Sequence, residues 1–160
     1  MIINRKIRHT LFGLLIDFDF FLEILSIVFA RQIWKNNDNV SPGKKKILAF
    51  MSNRFIQDLE IFKAAEDLAI LEMPYNLLGG LYRYFYDGED AWTNWSSQRV
   101  VNRRYRYRKF LRRFIPRVYR RIDIKLVIGS GFAYTALLDW GAVSHELGYS
   151  YIVFHREGYM

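Results

Sequence analysis

The sequence predicts an α/β domain built on a parallel sheet with helices on both faces, preceded by an N-terminal amphipathic helix. Two observations carry this. Short apolar runs bounded by breakers recur at residues 47–51, 68–73, 124–128 and 151–154, and such runs read as buried strands. Between most of them lie stretches of roughly ten to sixteen residues with apolar positions at helical spacing, the alternation that βαβ units produce. Right-handed crossovers then send the helices to the two faces of the sheet. With 51% hydrophobic and 18% aromatic residues in a chain of 160, there is enough apolar surface for an ordinary core.

The first element is the least ordinary. Residues 10–30 are long enough to span a bilayer, but Asp17, Asp19 and Glu23 fall inside them, and each acid is expensive at bilayer depth. A signal peptide fits poorly, because Asp17 interrupts the apolar stretch and no small-x-small cleavage site follows. Leu11, Leu14, Leu15, Phe18, Leu22, Leu25 and Phe29 repeat at helical spacing, with Asp19, Glu23 and Ser26 on another strip. Three readings stand: a helix packed on its own or another domain, a helix lying in a membrane interface, and, least favoured by the acids, a true span. Asn36 to Gly43 is a polar, turn-rich linker. Residues 1–43 are thus read as helix and linker, and 44–160 as the α/β domain.

Strand 47–51 opens that domain, and Phe55, Ile56, Leu59, Phe62 and Ala65 give helical spacing over 54–67. Strand 68–73 is closed by Pro74. Residues 75–86 read as a helix weakened by Gly79 and Gly80, 87–90 as a loop, and 91–98 as ambiguous. In the next segment Tyr107, Leu111, Phe114, Val118 and Ile122 form one apolar stripe, which Pro116 is expected to kink or split into two helices. Strand 124–128 leads through Gly129-Ser130-Gly131 into a helix over 132–147. Gly148 stands at the helix end, a position that favours glycine, and strand 151–154 follows.

Charge is concentrated in one place. Between Arg99 and Lys125 there are twelve Lys or Arg against one acid, Asp123, so this segment carries +11 and the rest of the chain −3 of the total +8. A polyanion partner belongs there, with Arg103, Arg104, Arg112 and Arg113 as contacts. Tyr105 and Tyr107 interleave with the arginines in a way suited to stacking on bases, while the same charges suit anionic lipid headgroups. A solvated or domain-packing face is the third reading. There is no Cys, and His9, His145 and His155 are scattered, so no disulfide, thiolate or zinc chemistry is expected. No cofactor is expected either.

Ligands of open parallel sheets bind beyond the carboxyl ends of the strands. This selects Ser52, Asn53 and Arg54 after the first strand and Pro74, Tyr75 and Asn76 after the second. After the third it selects Gly129, Ser130, Gly131 and Phe132, and after the fourth His155, Arg156 and Glu157. The two glycines either admit an anion to the amides of the following helix or simply make a tight turn. They do not form GxGxxG, and no Walker lysine is present. His155, Arg156 and Glu157 combine a group titrating near neutrality, a planar cation and a carboxylate. Charged residues also follow strands merely because the chain reaches the surface. His145 is expected on the exposed side of its helix.

The segments KKILAFMSNRFIQDLEIFKAAEDLAILEMP and DIKLVIGSGFAYTALLDWGAVSHELGYSYIVFHREG resemble the opening and closing parts of the N-terminal half of GT-B glycosyltransferases. Bacterial capsular and surface-polysaccharide enzymes of that kind share the pattern carried here by Ser130, Phe132, Trp140, Glu146, Leu147, Gly148, His155, Arg156, Glu157 and Gly158. The resemblance covers about residues 44–158. It implies a Rossmann-like, acceptor-side half acting on a glycan or glycolipid at the cytoplasmic membrane face, with His155 and Glu157 catalytic and Arg156 on substrate. The nucleotide-sugar donor then belongs to a second Rossmann-like half. The chain stops at Met160, just after the HREG turn, so the expectation is a truncated reading frame or one piece of a split enzyme, inactive by itself. The alternative is a non-catalytic basic α/β domain that binds anionic membrane or nucleic acid.

Overall fold

The computed structural model describes residues 11–37, 40, 43–50, 67–86, 96–130 and 135–154. In chain order its elements are α1 (Asp19–Lys35), β1 (Lys45–Phe50), β2 (Leu68–Glu72), α2 (Tyr75–Tyr86), α3 (Gln98–Ile122), β3 (Ile124–Ser130), α4 (Thr135–Glu146) and β4 (Ser150–Phe154). All strand pairs are parallel and the spatial order is β2-β1-β3-β4. This is the α/β, Rossmann-like sheet that the alternating pattern predicts. The expected helix at 54–67 lies outside the described residues.

The first three apolar runs became strands because their apolar residues are buried on both faces of the sheet. Leu48, Leu71 and Val127 share one face by register and join the core with α1, α3 and α4. Ile47, Ala49, Ile70 and Ile128 on the other face are buried as well, so at β1, β2 and β3 both faces are covered. Tyr151, paired with Val127, turns toward the core, and Ile152 on the opposite face is exposed. The edge strand β2 is closed locally by Asn37. Its side-chain amide donates to the Glu72 carbonyl at 3.1 Å and accepts from the Glu72 amide at 2.9 Å, blunting an edge that would otherwise offer unpaired backbone groups.

The basic segment is one helix of 25 residues. Ser97 caps it by accepting from the Val100 amide at 3.3 Å, and Asp123 ends it at φ 54°, ψ 51°, a left-handed conformation that Asp tolerates better than most residues. Tyr107, Leu111, Phe114, Val118 and Ile122 are all fully buried, as the stripe predicts. Pro116 does not split the element. Its missing donor costs one helical bond, but Phe114, Ile115, Val118 and Tyr119 around it lie in the core, and that burial holds the helix through the proline.

The N-terminal region departs further from expectation. A short helical turn at 11–15 is separated from α1 by a break at 16–18, so the single helix over 10–30 becomes two pieces, the second reaching Lys35. Ile16, Leu22, Phe29 and Ile33 enter the core, whereas Leu11, Leu14, Leu15 and Phe18 of the expected apolar face are exposed. Ser26, expected on the polar strip, is buried. It donates to the Glu23 carbonyl at 2.7 Å and accepts from Arg121 Nε at 2.9 Å. The face that packs on α3 is therefore the one that carries the acids.

Candidate functional site

The strand order fixes where a ligand crevice belongs. From β1 the chain crosses to β2 on one side, and from β3 it crosses to β4 on the other, so the reversal falls between β1 and β3. At that point Phe50 is in register with Gly129, and Ser130 with Phe154. The carboxyl ends of β1, β3 and β4 thus lie side by side at one edge. The floor beneath is aromatic, with the Phe50 and Trp140 rings 5.3 Å apart. Trp140 Nε1 donates to the Tyr119 hydroxyl at 2.6 Å, which stands 3.0 Å from Ser144 Oγ.

Among the candidates after the strands, Gly129 and Ser130 are residues of β3 rather than of the turn. Gly129 has a packing reason for its lack of a side chain, because a Cβ there would run into the Tyr151 ring, and one at Gly141 would meet the same ring from α4. Burial pushes the Tyr151 phenol up to about 12. Pro74 is buried, and Tyr75 and Asn76 open α2 as exposed residues. Ser52, Asn53, Arg54, Gly131, Phe132, His155, Arg156 and Glu157 lie outside the described residues. His145 is exposed, as expected.

The candidate polyanion contacts are engaged within the chain. Arg103 donates to the Tyr86 carbonyl at 2.6 Å, a cation at the last residue of α2 where the helix dipole favours one. Arg104 grips Asp139 with two donors, Nε at 3.2 Å and Nη2 at 2.8 Å. Arg112 holds Glu146 through Nε at 3.0 Å and Nη2 at 2.9 Å. Arg113 donates to the Ile16 and Asp17 carbonyls and to the Asp19 carboxylate. Tyr105 is exposed, but Tyr107 is fully buried, so it does not stack on bases as the sequence pattern suggests.

Asp139 is the feature that sequence reasoning missed. Its side chain is fully buried, held by Arg104 and by the Tyr86 hydroxyl, which donates at 2.7 Å. Arg108 stands 3.6 Å from it and reaches Glu146 at 3.2 Å. Burial and then the Asp139 charge raise the Tyr86 phenol well above its usual range, so that group donates and does not serve as a base. The hydrogen bond that Arg104 donates to Asp139 raises the guanidinium further. The signal was present: Asp139 lies at i−1 to Trp140 and i−4 to Val143, within the buried stripe of α4. A carboxylate there must find a cation. Beside this cluster, Val101, Arg104, Tyr105, Arg108 and Arg112 line a surface depression of about 260 Å³.

Among the described residues no three His, Cys, Asp or Glu side chains converge to hold a metal ion. No described helix is long and apolar enough to cross a membrane. Comparison with protein-family models, curated proteins and solved structures finds no match to this chain.

Proposed function

We propose that this chain is the acceptor-side domain of a glycosyltransferase-type enzyme of surface-polysaccharide synthesis, with its ligand crevice at the carboxyl edge between β1 and β3. The observation that carries the reading is the topological reversal between those two strands, because such reversals open a crevice in parallel sheets. The internal pairing of the α3 arginines supports it over the basic-binding alternative, since guanidinium groups already bonded to carboxylates offer less to an external polyanion.

In this reading Ser52, Asn53, Arg54, Gly129, Ser130, Gly131 and Phe132 contact the acceptor from the ends of β1 and β3, and Arg156 contacts it after β4. An acceptor hydroxyl oxygen attacks the anomeric carbon of the sugar, and the bond from that carbon to the nucleoside diphosphate breaks. His155 or Glu157 takes the hydroxyl proton, and cations or amide dipoles hold the leaving diphosphate. The donor sits on a second Rossmann-like unit, and the domain works at the cytoplasmic face of the membrane as a peripheral protein.

Calorimetry and a turnover assay test this. The chain alone is expected to show no nucleotide-sugar turnover and only weak donor binding, and micromolar affinity for common nucleotide sugars would contradict the donor's assignment to a second unit. With that unit supplied, His155→Ala or Glu157→Ala is expected to lower turnover about a hundredfold or more if either is the base, with little change in melting temperature. Normal turnover in both variants removes the pair from the mechanism.

A further inference from the structure

The acids in and just ahead of α1, which argue against a bilayer span when the sequence is read alone, are neutralised in the fold. Asp17 lies 3.8 Å from Arg113, and Asp19 lies 3.2 Å from Arg113 and 2.6 Å from Arg117. Glu23 is 3.2 Å from Arg117 and 3.3 Å from Arg120, and it also pairs with Arg121. All three carboxylates thus answer to α3. What α1 turns to water is different. Phe20, Ile24 and Val28 step by four along it, one stripe at helical spacing, and Phe20 is 78% exposed. The same face continues to Arg31 and Lys35, both exposed, and carries no acid. Leu14 and Phe18, just ahead of the helix, are each 62% exposed.

We infer that this face of α1 docks the protein on an anionic membrane surface, the helix lying in the plane of the headgroups. An exposed apolar stripe that ends in two cations matches a lipid interface, which receives the stripe in the acyl boundary and the cations among the phosphates. The chain as a whole, at net +8, attracts the same surface. A helix of 17 residues with this one-sided pattern lies on a bilayer and does not cross it. The inference stands apart from sugar transfer, since it uses no residue of the sheet edge.

The test is cosedimentation of the full chain with vesicles of phosphatidylglycerol and phosphatidylcholine, and with vesicles of phosphatidylcholine alone. Binding is expected on the first and much less on the second, weakening with salt. Phe20→Ser with Ile24→Ser is expected to weaken binding tenfold or more while the melting temperature stays unchanged. Arg31→Glu with Lys35→Glu is expected to weaken it about fivefold or more. Ile24→Ser alone gives a milder second variant should the pair alter folding. Absence of vesicle binding, equal binding to both compositions, or undiminished binding by both serine variants overturns the proposal. So does a concentration-dependent dimer in sedimentation velocity that the serine pair abolishes, because the face then belongs to a second copy of the chain.

Discussion

Helix α3 presents arginines to two neighbours, and the two sides are not equivalent. Toward α4, Arg104 meets Asp139, whose side chain is fully buried, and Tyr86 completes the carboxylate's hydrogen bonds. Toward α1, Arg113, Arg117, Arg120 and Arg121 meet Asp17, Asp19 and Glu23, of which the two aspartates are 72% and 74% exposed. Similar ion pairs therefore do different work. A buried carboxylate cannot lose its cation without stranding a charge in a low dielectric. An exposed one falls back on water, and its pair contributes about 0–1 kcal/mol. The α4 side holds the fold together, and the α1 side mainly cancels charge.

Alkali separates the two sides most strongly. Burial raises the phenols of Tyr86, Tyr107 and Tyr119, all in or beside the α3–α4 contact. A group whose folded value is raised stabilises fully below its unfolded value, near 10, and loses that contribution as pH climbs toward the folded value. Stability is therefore expected to hold up to about pH 10 and to fall steeply above it. Ultraviolet titration and circular dichroism should report phenolate formation coincident with unfolding. Independent ionisation of these tyrosines in a folded chain would contradict their burial.

Single substitutions rank below that. Asp139→Ala is expected to cost about 3 kcal/mol in urea unfolding, the low end of breaking a buried pair, because Arg104 keeps a quarter of its surface in water. Tyr86→Phe removes one hydrogen bond to a charged acceptor and should cost about 1.5 kcal/mol. Asp19→Asn on the α1 side should change stability by no more than about 0.5 kcal/mol, with any effect shrinking in salt. An Asp19 effect equal to that of Asp139 would erase the distinction between the two sides.

The parts that sequence reveals and conceals follow the same division. The strands, the bounds of α2 and the buried stripe of α3 were legible because each depends on apolar periodicity, which the core enforces directly. Pro116 misled because local propensity yields to burial on both sides of it. The break at 16–18 carries Asp17 as its one turn-favouring residue, with neither Gly nor Pro; Arg113, ninety-six residues away from Asp17, takes the freed carbonyls. Ser26 turned inward to accept from Arg121, a pairing that no local pattern encodes. At the candidate site, the adjacency of the β1 and β3 ends required the strand order, and Gly129 looked like part of a turn because Tyr151, the reason for it, comes much later in the chain.

On the proposed function, α3 uses its charge inside the molecule and the acceptor binds at the sheet edge. Amide shifts of the isotopically labelled chain during titration with a water-soluble sugar phosphate test it directly. Shifts are expected at Phe50, Gly129 and Ser130, with little change at Arg104, Arg108 and Arg112. Shifts centred on those three arginines and their depression, with the ends of β1 and β3 unmoved, would contradict it.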